Sequence, residues 1–586
     1  MATAQPDGQA GLPSNLLESR SAVLGLYAAL TAVMTFPLIA SWRTSLPAGS
    51  GDLWQNYWNF WWWKQCLLEG LNPLRTEVLF HPSGVDLVFH THSPFNQILA
   101  MPVNLLFGEA AAYNSCVLLA LTLSGFGTYL LVRELTGSAP AGFFAGLVFA
   151  YFPQTLEQTL EHLNLFSTQF IPLSLFYLAR WSKSLRRMDA VAFGACFGLN
   201  ALCSWHLGVK LALVVAPWVV WIAWRNRDRW TTLGRHIGMA AALATLLVLP
   251  FLVPMVSLMA EGSEYFNKGP VNRGIDASYL FTAPYANPVF GGLVLSRYLD
   301  RAYQASGFVC YLGLVPFALA AVAAWQRVRG TAGWIALFVL GVVLALGAHL
   351  LWDGSRYQSV ALPFAALESL PVLGNLRVAN RFLLLAGLGL SVLAGYGWKS
   401  LRLKSKLALP VAALVLLAEY SWLPFPMQEV EFSPLLKQVA ERPGAVLDVP
   451  FHQRSRTVHN MASQTVHAKP ISGGYLTSYP PEVEANMREH PALGQLAGVP
   501  ESTAVVDAEA LRRLGFRTVV VHKRRANSVR DRMLASLEDH ELLKRKRVLR
   551  LGGVPDDAMA SIRRQLDSLA GGACLEDNQL AVYCLE

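Results

Sequence analysis

Apolar runs recur along the first 425 positions of the chain, each bounded by short polar or basic stretches. A helix needs about 20 apolar residues to cross the hydrocarbon core of a bilayer. By that measure the sequence predicts eleven spanning helices, at 21–42, 112–133, 139–154, 164–181, 190–205, 207–224, 236–258, 306–325, 331–350, 380–398 and 407–424. The third and fifth are short for a span. Residues 94–108 are also apolar, but the run is short and holds two prolines, which predicts an interfacial helix lying on the outer leaflet. The Trp-rich stretch 52–65 (DLWQNYWNFWWWKQ) has the composition of a segment in the headgroup layer.

Beyond residue 429 the pattern changes. Short β-type runs (445–450, 518–522, 580–585) alternate with polar helical stretches (507–515, 528–540, 556–570). The expected architecture is therefore mainly α: a polytopic helical membrane protein with a C-terminal extracytoplasmic α/β domain. Residues 1–20 form a cytoplasmic tail, 21–428 the transmembrane domain with long outer loops at 43–111 and 260–305, and 429–586 a small soluble domain.

Charge sets the orientation. Residues 430–586 hold 21 Lys and Arg against 19 Asp and Glu, leaving 27 basic residues in the apolar part. With the N-terminus in the cytoplasm, 16 of these 27 fall in short inside loops: Arg20; Arg133; Arg180, Lys183, Arg186 and Arg187; Arg225, Arg227, Arg229 and Arg235; Arg327 and Arg329; Lys399, Arg402, Lys404 and Lys406. This is the bias that orients membrane helices. The same distribution explains the net charge of +9 without a nucleic-acid partner, because the cations are dispersed between spans.

Composition supports the membrane class: 53% of the 586 residues are hydrophobic and only 15% are charged. No cleavable leader stands out, and 22–40 reads as an uncleaved first helix. The seven cysteines form no CxxC pair, so a thiolate zinc site is not expected. Cys574 and Cys584 flank a hairpin pattern and are either a disulfide or two free thiols.

Several residues could carry chemistry. Asp52 follows the first span; it suits a general base or metal ligand, or equally a helix N-cap. Glu157 and Glu161, four apart in PQTLEQTLEHLN, would share one helical face, with His162 beside them. Asp52, Glu161 and His162 together could hold a divalent metal such as Mg or Mn; the bland reading is a solvated turn. His90 and His92 form a His-x-His pair that is either a metal pair or a polar interfacial pair. Lys210 lies within the sixth span near its outer end, where a cation needs an anionic partner or must snorkel to the headgroups. His206 is one turn away. Arg377 and Arg381 lie one helical turn apart at the outer start of the tenth span and could grip a phosphate. No Walker loop, GxGxxG-plus-acid pattern, HExxH or GxSxG is present, so nucleotide-driven transport has no support.

The segments GDLWQNYWNFWW, NPLRTEVLFHPSG, AGLVFAYFPQTLEQTLEHLNLFSTQFIPLSLFYLARW and NLRVANRF give the chain its family likeness. It resembles the GT-C superfamily of integral membrane glycosyltransferases, its uncharacterised bacterial branch most, and more distantly protein O-mannosyltransferases and lipid A aminoarabinose transferases. In that resemblance Asp52 takes the first acidic position of the first outer loop and Glu157 or Glu161 the second. Many GT-C members carry paired acids at the first position, whereas Gly51 and Leu53 flank Asp52 here. The resemblance implies transfer of a sugar from a polyprenyl-phosphate donor to a glycan, lipid or protein acceptor at the outer membrane face. Asp52 would serve as base, and Lys210, Arg377 and Arg381 would lie near the departing phosphate. Two other classes remain: a non-catalytic assembly subunit on the same scaffold, and a transporter of lipid-linked glycans, which the lack of internal symmetry disfavours.

Overall fold

The structure is a computed structural model. It describes residues 14–49, 51–260, 274–294, 309–368, 378–449, 454–476, 489, 507–523 and 556–585. Arg377, the 528–540 stretch and most of the 260–305 loop lie outside the described residues.

A helix occupies part of each of the eleven expected spans. In chain order the helices that matter here are α1 (Arg20–Met34), α2 (Gly51–Glu69), α3 (Glu109–Thr136), α4 (Ala139–Ala150), α5 (Pro153–Thr159), α6 (Phe170–Ser184), α7 (Arg187–Cys203), α8 (Trp205–Arg225), α9 (Trp230–Ala260), α10 (Leu314–Trp325), α11 (Ala332–Ala345), α12 (Leu383–Ser400), α13 (Ala408–Tyr420) and α14 (Arg454–His467). Among the described residues, four helices are long and apolar enough to cross a membrane alone: Glu109–Thr136, Trp205–Arg225, Arg227–Ala260 and Ala379–Ser400. The other seven are shorter, from 12 residues in α4 to 17 in α7. α1, for example, ends at Met34, because Pro37 just beyond cannot continue the ladder.

The bundle has the inside-out pattern of a protein in lipid. Every residue of α12 from Leu383 to Gly397 is buried, and α4, α10 and α11 surround it. Outward faces carry large apolar side chains instead, such as Trp224, Leu246, Val256, Leu314 and Leu414. The helices pack closely. A Cβ at Gly146 would stand 2.0 Å from the Tyr27 hydroxyl, which donates to the Phe143 carbonyl at 2.8 Å. The expected interfacial stretch is two short helices, Pro94–Leu99 and Met101–Phe107. Asn96, Gln97 and Asn104 point in, while Ile98, Leu106 and Phe107 point out, as a lipid-facing surface requires.

Basic residues from separate loops collect at one end of the bundle. Arg133 pairs with Glu18, Lys183 with Glu134 at 2.7 Å, and Lys399 donates to the Thr136 carbonyl.

The terminal part is built on a four-stranded sheet of β1 (Ala445–Val449), β2 (Phe516–His522), β3 (Leu575–Glu576) and β4 (Leu580–Cys584) in the order β1-β2-β4-β3. β1 and β2 are parallel; the other pairs are antiparallel. Alternate side chains divide between two cores, as the two-residue strand period dictates. Leu447, Val519, Val521 and Tyr583 pack with Ile562 and Leu566 of the helix Asp556–Ala570. Val446, Val520 and Val582 join the core of the membrane domain. Cys574 and Cys584 form a disulfide across the terminal hairpin, with Cα atoms 6.0 Å apart.

One local expectation fails. The Trp-rich helix α2 does not sit among headgroups. Residues Leu53 to Trp63 are all buried, because α14 packs across the helix and α3 lies behind it.

Candidate active site

Asp52 lies in the first turn of α2 rather than ahead of it. Near a helix N-terminus a carboxylate is favoured by the backbone dipole. Its side chain is 27% exposed, and each oxygen has a neighbour. The Tyr475 hydroxyl donates to Oδ1 at 2.8 Å, and His162 Nε2 lies 3.4 Å from Oδ2. Asn56, one turn on, donates Nδ2 to the Asp52 carbonyl at 2.8 Å and to the Glu161 carbonyl at 3.1 Å. That amide ties α2 to the 160–162 turn. Gly49 makes the same approach possible, since a Cβ there would be 1.9 Å from the Leu160 carbonyl oxygen and 2.7 Å from Glu161 Cγ.

Glu157 and Glu161 do not share a helical face. α5 stops at Thr159, and the chain turns so that His162 precedes the short helix Leu163–Phe166. Glu157 Oε2 accepts from the Val309 amide at 3.4 Å. Glu161 stays near Asp52, and the Tyr113 hydroxyl is within electrostatic reach of both. The tentative metal set of Asp52, Glu161 and His162 is not assembled. Asp52 and His162 adjoin, but among the described residues no group of three His, Cys, Asp or Glu side chains is arranged to hold a metal ion.

The i, i+4 relationship that matters on α5 belongs to Gln154 and Gln158. With Thr155 they line a narrow cleft closed by Leu165, Leu207, Lys210, Arg381 and Leu384. The cleft encloses about 20 Å³, room for a water. Gln154 also donates to the Asn380 carbonyl at 2.7 Å, holding α5 against the turn that presents Arg381. Lys210 does not snorkel. It is 2% exposed, and its ammonium lies 5.8 Å from the centre of the Phe382 ring. Among the described residues it has no carboxylate within ion-pair distance. His206 sits on the first turn of α8 and does not line the cleft. Arg377 lies outside the described residues.

Two cations thus meet at one end of the 153–162 segment, and the Asp52–His162 pair stands at the other. Gln158 and His162 are four residues apart, at most about 15 Å of chain.

His90 and His92 lie edge to face, with ring centres 4.9 Å apart. Gln55 Nε2 is 3.3 Å from His90 Nδ1, and His90 Nε2 is 2.8 Å from Asn59 Oδ1, so both ring nitrogens of His90 are engaged. Trp63 donates to His92 Nδ1 at 3.3 Å. Burial pushes His92 down to about 4, and burial together with His92 holds His90 well below the usual imidazole range.

Sequence reasoning missed Tyr475, Asn56, Gln154 and Gln158. The spacing of the two glutamines beside apolar positions was a usable clue. Nothing local pointed to Tyr475, which lies 423 residues from its partner.

A domain family of unknown function, DUF6311, matches residues 22–419. The chain belongs to that family. No curated protein matches it. Among solved structures, the arabinofuranosyltransferase AftD from mycobacteria superposes with a TM-score of 0.56 at 16% identity, covering 87% of this chain and 36% of AftD. The chain therefore spans about a third of the length of AftD. The Archaeoglobus fulgidus oligosaccharyltransferase gives 0.49 at 13% identity, over 86% of this chain and 69% of its own. ArnT from Cupriavidus metallidurans, bound to undecaprenyl phosphate, gives 0.48 at 13% identity, over 97% and 99%. The AftD superposition shows that this chain shares the fold of that membrane protein's matched part.

Proposed function

We propose that this DUF6311 protein transfers a sugar from a polyprenyl-phosphate donor to an acceptor hydroxyl at the extracytoplasmic face of the bacterial inner membrane. The observation that carries the reading is the 153–162 segment, which brings Lys210 and Arg381 to one end and His162 with Asp52 to the other. The fold shared with AftD supports it.

In this reading Asp52 takes the proton of the acceptor hydroxyl. The acceptor oxygen bonds the anomeric carbon, the bond from that carbon to the phosphate oxygen breaks with inversion, and polyprenyl phosphate leaves. Lys210 and Arg381 stabilise the charge that develops on the leaving phosphate. Burial makes that charge interaction stronger than it would be in water. Gln154, Thr155 and Gln158 can donate to the same phosphate oxygens. The carrier's lipid would reach this site along the apolar outer faces of α8 and α9.

The test is transfer from a panel of labelled polyprenyl-phosphate sugars by the full chain in nanodiscs, native against D52N. Loss of a general base costs about 10²–10⁴-fold. Undiminished turnover by D52N would reject the assignment. The small volume of the cleft favours a second reading, a non-catalytic subunit on the same scaffold. That reading expects no transfer by the native chain from any donor in the panel.

A further inference from the structure

We propose that Tyr475 is a positioning residue for the Asp52 carboxylate, delivered to the site by the terminal domain. The inference rests on the reading of Asp52 as the base.

A carboxylate at the end of a short side chain turns freely about its last torsion unless its neighbours stop it. Here two groups do so from opposite parts of the fold. The Tyr475 hydroxyl holds Oδ1 at 2.8 Å, and His162 Nε2 faces Oδ2 at 3.4 Å. The carboxylate has about four lone-pair directions, so both contacts leave room for an incoming hydroxyl.

The position of Tyr475 is itself determined. Gln55, three residues beyond Asp52 on α2, donates to the Tyr475 carbonyl at 3.1 Å, and the Tyr475 amide lies 3.4 Å from Met461 Sδ on α14. Just before it, Gly474 lies against the Phe80 ring, where a Cβ would be 2.7 Å from Cε2. The Phe80 amide donates to the Gly473 carbonyl at 3.2 Å, and the Ile471 amide to the Val78 carbonyl at 2.9 Å. Gly51 lies beside the hydroxyl, since a Cβ there would be in ordinary contact with the Tyr475 oxygen at 3.5 Å. The 471–475 arm is thus threaded between the first outer loop and α2 and ends on the carboxylate. A base displaced by about 1 Å can cost about 10²-fold in rate, so the arm is placed to set turnover rather than donor affinity.

The experiment compares native chain, Y475F, D52N and the D52N/Y475F double variant in nanodiscs with the labelled polyprenyl-phosphate sugar panel, alongside thermal melts. Y475F keeps the ring and removes one oxygen. The expected result is a kcat lowered by about ten- to a hundredfold with the donor KM unchanged. In the D52N background, adding Y475F should leave the residual rate where it was, because there is no carboxylate left to orient. A native kcat in Y475F would overturn the proposal. So would an equal further loss on the D52N background accompanied by a lower melting temperature, which marks a merely structural role. If D52N turns over like the native chain, or the native chain uses no donor in the panel, the reading of Asp52 itself fails and this proposal falls with it.

Discussion

Trp58 donates its indole N–H to the side-chain oxygen of Gln464 at 2.7 Å, and both groups are buried. Gln464 in turn donates to the carbonyls of Val78 and Lys469 at 2.7 and 2.8 Å. One amide therefore joins α2, the first outer loop and the segment that leads to Tyr475. Replacing Gln464 with Leu leaves the indole N–H and the Lys469 carbonyl without these partners, while the Val78 carbonyl keeps the Ile471 amide at 2.9 Å. Each buried group left so costs about 1–3 kcal/mol. A lower melting temperature for Q464L, and faster amide exchange in α14, is the expected outcome; an unchanged melt would show that the junction is held by its apolar contacts alone.

Lys210 is buried beside Arg381 with a polar amide wall opposite. Lys210→Met keeps the length of the side chain and removes its charge. Binding of decaprenyl phosphate, measured on the full chain in nanodiscs, should weaken by about ten- to a hundredfold, the worth of one charge-assisted hydrogen bond. Binding of the neutral alcohol decaprenol should not change. Equal loss for both lipids would assign Lys210 to packing.

Acid should loosen the junction of the terminal domain. His459 meets the Trp54 ring at 4.9 Å, and burial, with His522 adding to it, pushes His459 down to about 4. His467 is pushed down to about 4 by burial as well, Asp448 working in the opposite sense. An unfolded histidine takes up its proton near pH 6.5. Between about pH 6.5 and 4 the unfolded chain therefore binds more protons than the folded one, and stability falls as the pH falls. Melts of the full chain from pH 7 to 4.5 should show this decline. H459F should lose part of it, and a slope identical to that of the native chain would remove His459 from the account.

The Cys574–Cys584 disulfide closes a ten-residue separation at the terminal hairpin. Bridges of this size stabilise by about 2–4 kcal/mol. C574S/C584S should melt earlier in the β3–β4 region, seen as faster amide exchange at 575–585, while decaprenyl phosphate binding stays as it was. Loss of that binding would show that the sheet supports the lipid site directly.

The membrane class and the helix positions were legible because lipid imposes one simple demand, an apolar run long enough to bury its backbone. The stretch 94–108 was readable as too short to span, whereas the inward placement of Asn96, Gln97 and Asn104 came only with the structure. The interior of α2 was not. Tryptophans suit both a headgroup layer and a packed core, and composition cannot separate the two. Only the docking of α14 decides for the core. Glu157 and Glu161 show a second limit. Their spacing implies a shared face only if the helix continues, and it ends at Thr159.

By itself the sequence determined what local patterns can carry: the apolar helices, the basic loops that gather at one end, the change to strands after residue 429, and Asp52, His162 and Lys210 as candidates. Tertiary structure alone decided the company those residues keep. It set Tyr475 against Asp52, turned Lys210 inward beside Arg381, engaged His90 with Gln55 and Asn59, and left the tentative metal set incomplete. The reason is physical. Hydropathy and helix period act over a few residues, whereas hydrogen bonds and buried charges join groups hundreds of residues apart, and their geometry exists only once the chain has packed.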